Sequence, residues 1–285
     1  METLYKDWIG KTHHQVDYAS PSAIERFCAT IGISSREHSG TQTTARSFAP
    51  LGFHWCLCLP NIPQDKLGVD GHPEKGGFLP PVEAPRRMWA SSKVKFLAPI
   101  PCDAKIERVQ TIESVVFKEG KTGSLYFVNV DHEIFADGVQ AIKERQTIVY
   151  REAGVAPVLP KADALIDLSD WTETRSFIPD ETLLFRFSAL TFNAHRIHYD
   201  LQYAKDKEDY PALVVHGPLT ATLLLHHGAT MKGEKQISSF EFAGRKPAFC
   251  NDEMTLAARR CDEGVELAAL NSAGEKIMAA LMTLS

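Results

Sequence analysis

The sequence feature that most constrains the fold is a weak internal repeat. Phe96 and Phe242 lie in similar extended segments, and each segment continues to a proline, a cysteine and an aspartate. Three runs typical of strands follow each copy, at 105–116, 124–135 and 139–150 in the first half and at 254–261, 265–271 and 276–284 in the second. Side chains alternate within the runs, and glycine-containing turns at 137–138 and 273–274 favour antiparallel hairpins. The repeat therefore predicts a duplicated antiparallel sheet.

Helix signals precede the strands in each half. Pro21 is followed by Ser22 and Glu25, which have the spacing of a capping box. In the second half Pro218 precedes an apolar run at 220–227 that has helical character. Pro218 is compatible with this helix because proline is tolerated in the first turn. Helices that come before antiparallel strands and pack on one face of each sheet give an α+β fold.

Two domains are predicted, at 1–152 and 165–285, with a linker at 153–164. The segment that joins the halves contains prolines and a glycine, which leave little regular structure. A long loop is predicted inside the first half, at 68–85, because this stretch holds four glycines and four prolines.

Charge and composition restrict the partners of the chain. It has 285 residues, with 31 lysines and arginines against 36 acidic side chains, and a net charge of −5. Such a balance gives no broad field that attracts nucleic acid or an anionic membrane. There is no secretory signal and no apolar run of roughly 18 residues. A cytoplasmic protein without membrane or nucleic-acid partners is predicted.

Neither the cysteines nor the histidines have the spacing of a metal site. Cys56 and Cys58 are too close for a zinc pair, and no second pair complements them. Neighbouring histidines at 13–14 and 226–227 cannot point at one ion from a helix or a strand. The cysteines are expected to be reduced structural thiols. No metal or redox cofactor is predicted.

The densest group of polar residues among apolar ones contains a candidate base. His198 is titratable and lies beside apolar neighbours, and Asp200 is close enough in sequence to orient or charge it. Gly217 stands where an apolar segment turns into a helix, and free N–H groups at a helix start suit a developing oxyanion. Together they indicate proton chemistry next to a carbonyl, or addition of water to a conjugated double bond. The alternative is a structural hydrogen bond between His198 and Asp200.

Two segments carry a resemblance to a known family. Residues 195–200 read His-Arg-Ile-His-Tyr-Asp, and residues 215–219 read Val-His-Gly-Pro-Leu. They resemble the hydratase motif of the MaoC-like (R)-specific enoyl-thioester hydratases, Asn-Pro-Leu/Ile-His-x-Asp, and the Val-His-Gly-x-Leu helix start that follows it. The first half resembles the degenerate dehydratase-like domain of the two-domain members. The resemblance implies a double hot-dog fold, in which an antiparallel sheet wraps a long helix in each half.

The resemblance also implies roles for individual residues. His198 would be the catalytic histidine, the N–H of Gly217 the oxyanion donor, and Thr222 the small hydroxyl residue near the site. The family's aspartate five residues before the histidine is Asn193 here. An amide can hold a water but cannot accept its proton. Either His198 alone moves the proton, or Asp200 takes part as the nearest carboxylate in sequence, or catalysis is lost.

His195 and Arg196 stand where the family has Asn-Pro. Arg196 would form an ion pair with Asp200 or Glu208, or its forked guanidinium would receive a carboxylate of the substrate. The second alternative agrees with a closer resemblance to the branch that hydrates C5 dicarboxylyl-CoA esters, itaconyl-CoA and mesaconyl-C4-CoA. His195 and His216 are further predicted substrate contacts.

Four cations are candidates for binding the phosphates of coenzyme A. Arg245 and Lys246 follow the extended segment at Phe242, and Arg86 and Arg87 precede its counterpart in the first half. The alternative for each is a solvated surface charge. The degenerate first half is expected to supply tunnel walls for the pantetheine and acyl parts.

The sequence thus predicts a hydro-lyase without a cofactor that reversibly adds water to an enoyl-CoA thioester. Its pH dependence would follow the histidine, whose ordinary pKa is about 6.5. One alternative is a 3-hydroxyacyl-thioester dehydratase of fatty-acid metabolism, whose acidic carrier protein would want a basic collar around the tunnel. Another is a non-catalytic acyl-CoA binding protein. A homo-oligomer, dimer or higher, is left open, because two halves in one chain could satisfy the pairing of hot-dog domains internally.

Overall fold

The computed structural model describes residues 5–33, 47–120, 123–152 and 166–285. The predicted linker at 153–164 lies outside the described residues. In the first half the elements are β1 (Thr12–Tyr18), α1 (Pro21–Ile31), β2 (Arg86–Phe96), β3 (Lys105–Gly120), β4 (Gly123–Ala136) and β5 (Val139–Arg151). In the second they are β6 (Glu173–Phe177), α2 (Glu181–Thr191), α3 (Leu201–Glu208), α4 (Gly217–Ala229), β7 (Ile237–Gly244), β8 (Met254–Cys261), β9 (Gly264–Leu270) and β10 (Lys276–Leu284).

The described strands form one continuous antiparallel sheet with a duplicated order. The order is β1-β3-β4-β5-β2-β7-β10-β9-β8-β6, so each half repeats the same arrangement outward from the central pair β2–β7. Val94 pairs directly with Phe240 across this centre. These two residues have the same separation in sequence as Phe96 and Phe242, which the repeat aligns. A residue that pairs with its own equivalent marks a pseudo-two-fold axis, and the predicted duplication is confirmed.

The predicted strands and turns agree closely with the structure. Asp137 and Gly138 both have positive φ, 49° and 81°, as the two central residues of a type I′ hairpin turn require. The start of α1 differs in one detail from the prediction. Ser20 is the N-cap, accepting a hydrogen bond from the Ala23 N–H, so Ser22 lies inside the helix and the predicted capping box is wrong.

The long helix of the second half is buried against its own half of the sheet. Leu219, Leu224 and Leu225 of α4 have no exposed surface, and the helix packs on β7 to β10. Gly228 fits tightly here, because a Cβ on it would lie 2.9 Å from the side chain of Leu267. This half has the helix and sheet that the resemblance implies.

The first half lacks the corresponding helix in its described residues, and this part of the prediction is wrong. The matching segment forms only a 3-10 turn, Phe53–Cys56, after Gly52. Pro60 and Pro63 follow within what would be the next two turns, and proline removes a helical hydrogen bond and clashes with the preceding turn. A cavity lies over part of the first-half sheet instead. No helix among the described residues is long and apolar enough to cross a membrane.

Candidate active site

Both halves of the chain line one large cavity. Its volume is about 1440 Å³. From the second half it is lined by the C-terminal part of α2, the segment 193–199 and the start of α4, and from the first half by the loop 60–79, the start of β2 and one face of the sheet. A site between the halves therefore takes side chains from both.

His198 is held in one tautomer at this cavity. It ends a 3-10 turn, Arg196–His198, and its Nδ1 lies 2.7 Å from the carbonyl oxygen of Val214. A carbonyl oxygen only accepts, so Nδ1 carries the hydrogen and Nε2 keeps a free lone pair. Burial, together with the charge of His216, holds the pKa of His198 well below its usual range. At neutral pH His198 is an uncharged base.

His216 fixes the ring plane of His198. The two rings stack with their centroids 3.6 Å apart and an angle of 18° between them. Nε2 of His216 lies 2.8 Å from the hydroxyl of Ser188 on α2, which orients the ring. Burial lowers the pKa of His216 to about 3. The stacked rings are both neutral at pH 7.

The N-terminus of α4 opens on the same cavity. His216 is its N-cap, and Gly217 is the first helical residue. Neither a backbone nor a side-chain acceptor from the described residues takes the Gly217 N–H. A Cβ on Gly217 would meet only the Trp89 carbonyl, at 3.8 Å. This N–H and the helix dipole can therefore stabilise negative charge on an oxygen placed beside it.

Asn193 lies at the cavity. The oxygen of its side-chain amide is hydrogen-bonded within the protein, whereas its NH₂ group is open to a ligand. Its Oδ1 accepts a hydrogen bond from the His195 N–H at 3.0 Å, which holds the turn after α2. The NH₂ group is left to donate to a water or a ligand. The structure thus gives Asn193 a donor at the site, while its Oδ1 already accepts one hydrogen bond.

Arg196 and Asp200 lie away from the cavity lining. The guanidinium of Arg196 donates to Asp200 Oδ2 from both Nε, at 3.0 Å, and Nη2, at 2.7 Å, and it stacks over the ring of Tyr203. Asp200 is also the N-cap of α3. Of the two alternatives for Arg196, the structure shows the ion pair. Asp200 is occupied by that pair and by the helix cap, so it does not face a substrate.

Thr222 also fails to reach the cavity. It is fully buried inside α4, and its hydroxyl donates to the Pro218 carbonyl at 2.7 Å. Its methyl group would lie 3.6 Å from a Cβ on Gly52 of the other half. One turn of a helix puts residues 220 and 222 on different faces, and it is Thr220 that lines the cavity.

A loop of the first half completes the site with Asp70 and His72. The sequence analysis did not predict these two residues. Nδ1 of His72 lies 3.0 Å from a carboxylate oxygen of Asp70. The ring centroids of His72 and His195 are 4.1 Å apart. Burial lowers the pKa of His72 to about 4. Burial opposes ionisation of Asp70, but the hydrogen bond and charge of His72 outweigh it and lower the Asp70 pKa. This Asp–His pair also leaves an Nε2 lone pair free.

Backbone contacts hold this loop against the hydratase-like segment. The Arg196 N–H donates to the Asp70 carbonyl at 2.9 Å. Gly71 has φ +87°, and a Cβ on it would lie 1.9 Å from the Ala194 carbonyl, so only glycine fits. Asp70, His72 and His195 also place ligand atoms within 4.8 Å of one another, a spacing that a metal ion could bridge. The absence of a metal stays a prediction.

His195 lies between His198 and the ion pair of Glu208 with Arg86. Its ring meets that of His198 edge to face at 5.5 Å, and its Nε2 lies 3.8 Å from Glu208. Glu208 in turn pairs with Arg86, whose Nε is 3.3 Å away. His195 thus joins His198 to the buried ion pair at the edge of the cavity.

The four predicted coenzyme A cations all line the cavity. β2 begins with Arg86 and Arg87, and Arg245 and Lys246 directly follow β7, so the antiparallel central pair brings them to one end of the sheet. Arg86 pairs with Glu208 and Asp209, and Lys246 pairs with Glu275. Arg87 and Arg245 form no ion pair with the described residues. Those two have the more available charge.

Comparison with known proteins agrees with this geometry. The family model for hydroxyacyl-thioester dehydratase type 2 matches residues 52–250. The mesaconyl-C(4)-CoA hydratase of Chloroflexus aurantiacus is 39% identical over 281 residues, which cover 97% of this chain and 96% of that protein. A solved MaoC-like dehydratase is similar with a TM-score of 0.72 at 14% identity, covering 97% of this chain and 98% of its own.

A Mycobacterium tuberculosis protein described as having a double hotdog fold is similar with a TM-score of 0.61 at 10% identity, covering 97% of this chain and 96% of its own. These structural likenesses confirm the double hot-dog, α+β fold. The family match and the hydratase relative confirm the predicted enzyme class, a hydratase or dehydratase of thioesters. The chain belongs to the hydroxyacyl-thioester dehydratase type 2 family.

Proposed function

We propose that the protein hydrates an enoyl-CoA thioester whose short acyl group carries a free carboxylate, such as mesaconyl-C4-CoA or itaconyl-CoA. The observation that carries the chemistry is the buried, neutral His198 beside the open N-terminus of α4 in one cavity. The acyl group is proposed from the mesaconyl-C(4)-CoA hydratase relative, which is similar over nearly the whole length of both chains.

In the hydration of a conjugated C=C, the thioester carbonyl would lie against the Gly217 N–H. Nε2 of His198 takes a proton from water as the water oxygen bonds to the β-carbon. The electron pair of the double bond moves onto the thioester oxygen, where the N–H and the helix dipole stabilise the enolate. His198 then returns the proton to the α-carbon. Water is consumed and no redox step is needed.

Asn193 and His216 are proposed as positioning residues in this scheme. The Asn193 NH₂ donates to the water oxygen or to the substrate, and His216 holds the plane of the His198 ring. His195 and the Asp70–His72 pair close the same wall of the cavity and contact the substrate or its water. The proposal leaves Asp200, Arg196 and Thr222 as structural residues.

Arg87 and Arg245 are the proposed ligands of the coenzyme A phosphates. Both line the cavity at the end of the central strand pair, and both lack an acidic partner among the described residues. Arg86 and Lys246 lie beside them but already pair with carboxylates, so we expect them to contribute less.

The proposal is tested by hydration assays on mesaconyl-C4-CoA, itaconyl-CoA and crotonyl-CoA, followed by loss of the substrate and by product mass. A clear preference for a dicarboxylyl ester is expected. A preference for crotonyl-CoA would support the hydratase activity but reject a free carboxylate on the acyl group. Saturable binding without turnover of any ester would identify a non-catalytic acyl-CoA binding protein and overturn the proposal.

A further inference from the structure

A row of polar residues crosses the first-half sheet on the face that lacks a helix. Glu144 on β5 lies opposite His132 on β4, His132 lies opposite Gln110 on β3, and Gln110 lies opposite His13 on β1. Directly opposite residues share one face of a sheet, and all four line the cavity. Gln110 hydrogen-bonds to both His13 and His132 along this row, so an apolar acyl chain laid on this face would remove water from the polar atoms that remain.

Two histidines at this part of the cavity, His132 on the sheet face and His54 in the 3-10 turn, are buried with unused hydrogen-bonding atoms. His132 is 4% exposed, and its Nε2 has no hydrogen-bond partner. His54 is 2% exposed, and neither of its ring nitrogens has one. Buried polar atoms that lack a partner are costly, and here they belong to residues that line the cavity, which favours a polar over an apolar occupant.

The carboxylate of Glu144 is already satisfied. Its Oε1 accepts from Trp55 Nε1 at 3.0 Å and from the Ser92 hydroxyl, and Nε2 of His54 lies 3.6 Å from Oε2. Burial opposes ionisation of Glu144, but His54, His132 and Ser92 outweigh it and lower its pKa to about 2. These neighbours therefore stabilise the negative charge of Glu144.

Arg108 supplies a positive charge to the same face. Glu144 and Asp17 act on this charge from a distance, but neither forms an ion pair with it. It lies on β3, opposite Gln15 on β1, and lines the cavity. Its guanidinium donates to the Gln15 side chain and to the carbonyls of Leu57 and Cys58, which are all neutral. No carboxylate in the described part of the chain forms an ion pair with it, and its Nε is buried without a partner. Gln15 and Cys58 take both Nη2 hydrogens and Leu57 takes one of the two on Nη1, so the guanidinium can still attract a carboxylate by its charge and donate one hydrogen bond from Nη1.

We infer that this face of the first half, with Arg108 as its anchor and His132 beside it, binds the free carboxylate of the acyl group. The inference rests on the proposed function and deepens it. It gives to Arg108 the role that the sequence suggested for Arg196, whose guanidinium is occupied by Asp200.

The test compares an ester with a free carboxylate and one without it, in Arg108→Gln. For mesaconyl-C4-CoA we expect kcat/KM to fall roughly 10- to 100-fold, the range for losing a charge-assisted hydrogen bond. For crotonyl-CoA it should change less than about threefold. Arg108→Lys keeps the charge without the fork and should lie between. Arg145→Gln on β5 is the matched control, because Arg145 is exposed and pairs with Asp131 at 2.6 Å.

Equal losses on both esters would overturn the inference and make Arg108 a structural residue. Should Arg108→Gln fail to fold by circular dichroism, His132→Gln replaces it, with a selective loss of about 3- to 10-fold expected on mesaconyl-C4-CoA. Dissociation constants of both esters, measured by calorimetry, separate this inference from the proposed function. A protein that binds but does not turn over either ester defeats the proposed function. Selective weakening of mesaconyl-C4-CoA in the variant would still support the carboxylate site, and its absence would reject it.

Discussion

The two halves of the molecule share one topology and use the same face of the sheet in opposite ways. In the second half the face is apolar and is covered by α4, whose leucines are fully buried. In the first half the helix is reduced to a 3-10 turn, and the face carries Glu144, His132 and Gln110 toward a cavity. Removing one helix from a duplicated fold converts a core into a place for a ligand. The half that keeps the helix keeps the proposed oxyanion site at its N-terminus.

The comparison also shows that neither half is a complete site. The proposed base His198 and the N–H of Gly217 come from the second half, but the loop that carries Asp70, Gly71 and His72 comes from the first and contacts the segment at 194–196. The division of roles predicts that changes in the second half affect every substrate, whereas changes on the first-half face affect only some.

The largest expected effect is that of His198→Ala. Loss of a positioned general base lowers rates by about 10²- to 10⁴-fold, so kcat on every hydrated ester should fall by roughly 10³-fold. His14→Ala is the matched control, because His14 is exposed on β1. Steady-state hydration assays on crotonyl-CoA and mesaconyl-C4-CoA measure both variants. A selective loss on one ester would contradict the division of roles between the halves.

A smaller effect is expected when the first-half loop is displaced. A Cβ at Gly71 would overlap the Ala194 carbonyl, so Gly71→Ala must move the loop or the segment that carries His198. Displacement by about 1 Å costs up to 10²-fold, and we expect kcat/KM to fall roughly 30-fold. Gly138→Ala has the same backbone strain, φ +81°, with no atom within 4 Å of its Cβ. If both variants lose activity equally, backbone strain and not loop position is the cause.

Much of this arrangement is visible in the sequence because its signals are local. Alternation locates the strands, and the motif around His198 together with the helix start at Gly217 identifies the second-half site. Pro60 and Pro63 indicate in the sequence that no long helix follows Gly52, and the segment forms only a 3-10 turn. The resemblance implied a long helix there. Family resemblance was least reliable where the local sequence departs from the family.

The first-half contributions depend on long-range pairing that spacing does not reveal. Arg108 and His132 share a face only because β3 pairs with β4 in one register, and a shift by one residue would turn one side chain away. The sequence left open whether Arg196 pairs with an acidic residue or with the substrate, and only the structure shows that Asp200 takes its Nε and Nη2 and the Val69 carbonyl its Nη1. The loop position of Asp70 and His72 likewise follows from a tertiary contact.

The pH profile of hydration separates a buried base from an ordinary one by a factor of about ten. A base of ordinary pKa, about 6.5, would lose roughly tenfold of its activity between pH 7.5 and 5.5. Burial lowers the pKa of His198, so its neutral form persists to lower pH. We expect kcat/KM to stay nearly constant over that range, in correction of the sequence prediction. A fall with a midpoint near 6.5 would contradict the buried, neutral base, provided that circular dichroism shows the protein folded throughout.

The smallest expected effect concerns the phosphates of coenzyme A, where the two halves contribute alike. Arg245 lines the cavity without an ion-pair partner among the described residues, whereas its neighbour Lys246 pairs with Glu275. An accessible cation near a phosphate contributes little in water, so Arg245→Gln should raise KM about three- to fivefold and leave kcat unchanged. Lys246→Gln should change KM less. The effect should weaken at high salt and be equal for crotonyl-CoA and mesaconyl-C4-CoA, since both carry the same coenzyme. An effect of Arg245→Gln confined to mesaconyl-C4-CoA would instead place the acyl carboxylate at the centre of the sheet, and the first-half face would lose its proposed ligand.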